Sequence, residues 1–323
     1  MRTGVWTIDG RGRPSEDRYF IQDLSGDFLI AGVFDGHSGS STVDLTIKLL
    51  PSKLAELIKT VGDNEQALRA GLQRTFIEHD KTIAKQGPLF YRNSGSTATV
   101  AIITPTHCYI AFIGDSPAFI FDPDTAAVIS AIGKHSPARS DEHSRIVKND
   151  GFITMEEGDA PRVDGALMVS RAFGDFSLKF QNERVPEFDK NWAKDFRVVA
   201  DPEIIVIPRP ARGYLAICSD GLVDKPDGEF RTPNEIANEI VGLGLSDDLN
   251  SLAKQLIYNQ VKVYADSPAE YSASDADDIT LVLVDFSKSL RGGAAITRKA
   301  RRKRKANTKK TSTSATLPKT FLI

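Results

Sequence analysis

Five separate segments of the chain set carboxylates against a short apolar run, and no other feature limits the fold as much. FLIAGVF (28–34) runs into Asp35-Gly36-His37, YLAICS (214–219) into Asp220-Gly221, and HCYIAFI (107–113) into Gly114-Asp115. SDADDITLVLV places Asp277 and Asp278 just before an apolar run, and SEDRYFI places Glu16 and Asp17 before another. A single Asp-Gly after a strand reads most simply as a turn. Five acid-bearing strand ends read differently, because strands packed side by side can deliver their ends to one place. Carboxylates gathered that closely repel, and one or more stays protonated unless a cation intervenes. Oxygen donors with no Cys and little His point to magnesium or manganese rather than zinc or copper.

The rest of the pattern is a mixture of strands and amphipathic helices. Runs rich in Val, Ile, Phe and Tyr at 4–8, 17–23, 28–34, 97–105, 107–113, 118–123, 203–209, 214–219 and 279–286 read as strands. Short turns such as TPT (104–106) make most pairings antiparallel. Apolar residues three and four apart predict helices over 41–61, with a break or kink at Pro51, over 63–85 capped by Asp63, over 232–243 capped by Thr232, and over 246–265 starting on Ser246. Helix pairs separated by runs of strands predict an antiparallel sheet core covered by helices on its outer faces.

Charge divides the chain. Residues 287–323 hold 12 of the 41 Lys and Arg and no acid, which leaves residues 1–286 with 29 basic against 43 acidic side chains, a net of −14. The expected organisation is therefore a folded domain over 1–286 and a basic tail over 287–323 too poor in large apolar residues to order itself. No apolar run reaches the length of a membrane span, and the start MRTGVWTIDG lacks the apolar stretch of a secretory signal. Cys108 and Cys218, both inside apolar runs, read as buried thiols of a reducing compartment.

Nine pieces occur in an order that resembles the type 2C metal-dependent protein serine/threonine phosphatases: RPSEDRYF, VFDGHSG, SGSTATVAI, FIGDSPA, HSPARSDEHSRIVKNDGF, RVDGALMVSRAFGDFSLK, VADPEI, SDGLVD and DADDITLVLV. The resemblance runs from about residue 4 to 286. It implies an α+β fold, a central sandwich of two antiparallel β-sheets flanked on both faces by antiparallel α-helices (αββα), with a flap segment over Ser136 to about Val163 that shapes substrate choice. It implies two Mg2+ or Mn2+ ions per site and a third, weaker one as in some relatives. Asp35 would bridge the pair, Asp220 and Asp277 would hold the first, and the Gly36 carbonyl with Glu16 would serve the second. Asp17 would support metal-bound water, and Asp115 with Asp220 would hold the third ion. The implied reaction is hydrolysis of phosphoserine and phosphothreonine in proteins by a water or hydroxide bridging two divalent cations. His37 matches the general acid and Arg13 the phosphate-binding arginine, although Arg11 lies on the other side of the usual spacing.

The sequence also departs from the family's pattern. Pro117 stands where an Arg is common, Lys134 where an Asp is common, Val223 for a usual Trp and Asp278 for a usual Asn. His135 is expected to be structural, and SRAFGD (170–175) to serve packing, since no His is evident to support a Ser-Asp pair. A catalytically inactive scaffold or binding module is the alternative, disfavoured because Asp35, Asp220 and Asp277 are all present. The expected protein is an intracellular monomer acting on phosphoprotein substrates. RKARRKRK (298–305) suggests an import receptor or another acidic partner and a place in the nucleus, with the cytoplasm as alternative.

Overall fold

Strand residues with both faces apolar fit only a position between two covered layers, and the computed structural model puts them there. It describes residues 1–287 apart from 11–13, 25–26, 88–90, 156–159, 181–190, 193, 227 and 268–274. One five-stranded sheet has the order β1 (Arg2–Ile8), β15 (Ile279–Asp285), β14 (Tyr214–Cys218), β8 (Ala118–Phe121), β9 (Val128–Ala131). The other runs β13 (Glu203–Pro208), β7 (His107–Ile113), β6 (Ala98–Ile103), β3 (Leu29–Phe34), β2 (Arg18–Asp23). Every pairing within the two sheets is antiparallel.

The period of two divides each strand between two cores. On β3, Leu29, Ala31 and Val33 meet Ile120, Ile217 and Val282 of the opposite sheet. Ile30 and Phe34 turn the other way, toward Leu54, Leu72 and Phe76 of α1 (Ser41–Val61) and α2 (Glu65–Gln86). On the far side, Leu281 and Ala216 pack beneath Ile236, Leu252 and Leu256 of α5 (Pro233–Gly242) and α6 (Leu249–Ala265). The expected helix–sheet–sheet–helix order is the observed one.

Local corrections are physical. Pro51 does not break α1, which is continuous from 41 to 61; the buried row Leu50, Leu54 and Ile58 holds it against the sheet, and packing outweighs the lost backbone bond. Asn64 rather than Asp63 caps α2, accepting from Ala67 N, while Asp63 takes the Thr106 hydroxyl. Asp248 rather than Ser246 caps α6. Thr232 and Glu235 form the reciprocal capping box foreseen at 232. Half-buried β9 was not foreseen, and neither was α3 (Ser140–Lys148) in the flap. Glu142, on α3, is fully buried against Arg145, Arg171 and Ser170, which ties that segment down. The basic tail lies outside the described residues.

A buried ion pair supports the backbone at Gly174. Lys179 Nζ is 2.7 Å from Asp80 Oδ2, with neither side chain more than 1% exposed, and it also donates to Ala172 O. Asp80 Oδ1 accepts from Gly174 N. Lys179→Met strands the Asp80 charge and is expected to destabilise the protein by about 3 kcal/mol, a loss that urea unfolding would register; an unchanged midpoint would contradict it.

Candidate active site

The two sheets open at one end into a cleft of about 250 Å³ lined by Glu16, Asp35, Gly36, His37, Asp115, Asp220, Asp277 and Asp278. Its acids come from the ends of β3, β7, β14 and β15 and from the segment before β2. The sandwich thus converts a sequence separation of 262 residues, from Glu16 to Asp278, into one pocket. Asp35 N donates to Thr97 Oγ1 and Asp35 O accepts from Thr97 N, which fixes the strand end. Gly36 has no room for a side chain, because a Cβ would stand 2.7 Å from Glu16 O. Arg162, at the far edge of the flap segment, and residues 166–169 just beyond it also line the cleft.

The electrostatics follow from crowding. Asp35 and Asp220 are within hydrogen-bonding reach, and burial, then Asp220, Asp17 and Asp115, raise the Asp35 carboxyl well above its usual range. Burial pushes Asp115 to about 7, with Asp220 adding to it. Asp17 also rises to about 7, chiefly through burial, even though Ser219 donates to its Oδ2 at 2.6 Å. Its other oxygen is buried with no hydrogen-bond partner among the described residues. Asp224, which the sequence reading left out, rises to about 8 through burial and its neighbours Asp220 and Asp115.

Among the described residues no three His, Cys, Asp or Glu side chains form a finished metal cage. What the fold assembles is a set of crowded acids, of which Asp35, Asp17 and Asp115 keep their protons to higher pH than usual, with an orphaned carboxylate oxygen beside them. An all-oxygen donor set of this kind fits a hard divalent cation, since a cation removes the repulsion that the protons now offset.

Asp278 has a different task from its neighbours. Both its oxygens accept backbone hydrogens, from Gly10 at 2.7 Å and Glu16 at 2.8 Å, so it pins the segment that carries Glu16 and Asp17. Its charge also helps to raise Asp17.

His37 is held by a residue that the sequence reading assigned to packing. Its Nε2 lies 2.9 Å from both oxygens of Asp175. A supporting His for SRAFGD therefore does exist, and that expectation is corrected: the pair is His37–Asp175, while Ser170 donates to Glu142 and stands apart from it. Asp175 takes a left-handed backbone (φ 50°, ψ 42°) directly after Gly174 (φ 74°). Gly95 makes room for the pair, because a Cβ there would fall 2.1 Å from Asp175 Oδ2 and 2.2 Å from His37 Nε2. Burial by itself would lower the imidazole's pKa, but Asp175, Asp115 and Glu16 outweigh it and the net shift is upward. His135, by contrast, is structural as expected. It is buried, stacks on Phe112 at 4.9 Å and bonds the Gly114 backbone, and burial with Arg171 lowers it to about 4. Arg11 and Arg13 lie outside the described residues.

The architecture is shared with solved structures. A phosphatase from a pathogenic strain of Toxoplasma gondii superposes with a TM-score of 0.69 at 20% identity, over 89% of this chain and 93% of its own. A serine-threonine phosphatase 2C of the same organism gives 0.64 at 18%, over 88% and 94%. The sequence decides the family: residues 7–265 match the family model described as Protein phosphatase 2C, and the chain belongs to that family. "Probable protein phosphatase 2C 59" of Arabidopsis thaliana is 32% identical over 90% of this chain and 81% of its own length. "Probable protein phosphatase 2C member 13, mitochondrial" of Oryza sativa subsp. japonica is 30% identical over 88% and 68%. Other curated relatives are longer, the chain spanning 59% of one and 56% of another. No helix among the described residues is long and apolar enough to cross a membrane.

Proposed function

We propose that the protein hydrolyses phosphoserine and phosphothreonine esters in proteins with the help of divalent cations. The observation that carries this reading is the convergence of Asp35, Asp220, Asp277 and Glu16 on one cleft beside a carboxylate-supported histidine. Asp35 would be shared by two Mg2+ or Mn2+ ions, with Asp220 and Asp277 serving one, Glu16 and the Gly36 carbonyl the other, and Asp115 with Asp220 a weaker third. Two such ions supply an activated water and offset charge as the phosphoryl group transfers. Asp17, fixed by Ser219, is the acceptor that orients water at the cleft.

The protein's own proton chemistry rests on His37. Asp175 holds the ring, leaves a quarter of the side chain exposed to the cleft and favours the imidazolium. An imidazolium is the form that can protonate a departing seryl or threonyl oxygen. Arg13, or Arg11 in its place, receives the phosphate. The catalytic domain is residues 1–286, acting as a monomer, and the basic tail 287–323 directs it to the nucleus through an import receptor or another acidic partner. Fusion of residues 287–323 to a fluorescent reporter tests that placement, and a reporter left in the cytoplasm would refute it.

The activity is tested with p-nitrophenyl phosphate and a phosphothreonine peptide, with and without added Mn2+. Turnover of both that disappears with chelator is expected. A folded protein inert toward both would support the scaffold alternative instead.

A further inference from the structure

Against the acidic cleft lies a second cavity, of about 400 Å³, whose walls are mostly apolar. Phe119, Ile132, Val223 and Ile236 form its floor and sides, and Pro161 and Met168 border it from the flap side. Asp115, Met168 and Asp220 line both cavities, so the two adjoin. The local folding explains the space. Val223 follows the 3-10 turn at Asp220–Leu222 and fills less of the corner than an aromatic side chain would. A Cβ built on Gly133, also in the wall, meets nothing within 4 Å. Three of the positions at which the chain departs from the family's pattern, Pro117, Lys134 and Val223, line this one cavity.

Its rim carries exposed apolar side chains beside charged ones. Phe230 is 54% exposed and Met168 is 44% exposed, while Lys134 Nζ stands 4.1 Å from the centre of the Phe230 ring. Exposed large apolar side chains at the mouth of an apolar cavity are the arrangement found where a partner's side chain enters.

We propose that this cavity is a specificity subsite that takes a large apolar side chain, Leu or Phe in kind, within two residues of the phosphorylated Ser or Thr of a peptide substrate. The assignment rests on the phosphatase reading above, which places the phosphate in the adjoining cleft. The adjacency of the two cavities then sets the distance. A residue next to the phosphorylated one cannot lie far from Asp115 and Asp220, and this is the apolar space that meets them. Water leaves the walls when the side chain enters, which favours an apolar residue over Ala or Ser by roughly tenfold.

The test compares phosphothreonine peptides that differ at one position at a time, Leu against Ala, at each of the two positions on either side of the phosphothreonine, with p-nitrophenyl phosphate as reference. Wild-type kcat/KM is expected to be about tenfold higher for Leu than for Ala at one or more of these positions. Phe230→Ala removes an exposed rim residue, and Val223→Trp fills the space. Each should bring that ratio to within about twofold of one, while p-nitrophenyl phosphate turnover stays near wild type. A wild-type ratio near one at all four positions, or a ratio untouched by both variants, overturns the inference with the phosphatase reading intact. A folded wild-type protein inert toward p-nitrophenyl phosphate and every peptide overturns that reading, and the subsite falls with it.

Discussion

Asp35→Asn is expected to lower metal-dependent turnover by about 10³-fold, the scale set by loss of a principal electrostatic contact in a transition state, and to raise the unfolding temperature of the metal-free protein. The two effects have one source. Asp35 is half-buried beside Asp220, and desolvation together with Asp220, Asp17 and Asp115 makes its charged form costly. A neutral amide of the same shape relieves that cost but cannot neutralise cations. The pH dependence has a definite sign. Asp17 and Asp115 titrate near 4 in the unfolded chain and at about 7 in the folded protein. The folded state therefore holds extra protons between about pH 4 and 7, and metal-free stability falls as pH rises across that window. Below it these groups contribute nothing, and above it their cost is complete. Thermal unfolding of wild type and variant at pH 5 and pH 8 in chelator measures both claims. A variant less stable than wild type at pH 8, or wild-type stability that rises with pH from this cluster, would contradict them.

The second large effect belongs to His37. His37→Ala should reduce kcat/KM for a phosphothreonine peptide by about 10²-fold, the lower range for losing a general acid, and leave p-nitrophenyl phosphate almost unaffected. A nitrophenolate leaves readily without a proton, whereas a threonyl alkoxide does not. Equal losses on the two substrates would show that His37 has another role. Asp175→Asn removes the charge that most supports the imidazolium. The acid then loses its proton at lower pH, and the alkaline limb of the peptide pH profile should move acidward. A merely structural Asp175 would lower the rate and leave that limb in place.

The apolar runs were legible as strands because short stretches rich in Val, Ile, Phe and Tyr suit a strand buried on both faces: Leu29, Ala31 and Val33 serve one core and Ile30 and Phe34 the other. The acidic cleft was legible for the same reason, since Asp35, Asp115, Asp220 and Asp277 sit where apolar runs start or stop. Asp175 was not, because a pair 138 residues apart leaves no local trace. Its one signal was Gly174-Asp175, a dipeptide suited to the left-handed turn it adopts. Asp278 looked like one more ligand-side charge. Only the fold shows both of its oxygens occupied by Gly10 and Glu16. The caps at Asn64 and Asp248 were missed by one or two residues, since DN and SDD each offer adjacent residues able to cap. Pro51 misled because the packing of Leu50, Leu54 and Ile58 outweighs a local preference.

If the acids of the cleft hold the metals, protons and divalent cations compete for the same oxygens. Calorimetric titration of Mn2+ into the wild-type protein at pH 6.5, in two buffers of different ionisation enthalpy, counts the protons exchanged on binding. Release of about one proton or more, with smaller release from Asp35→Asn, is the predicted result. Binding with no proton release, or no binding at all to the folded protein, would contradict it.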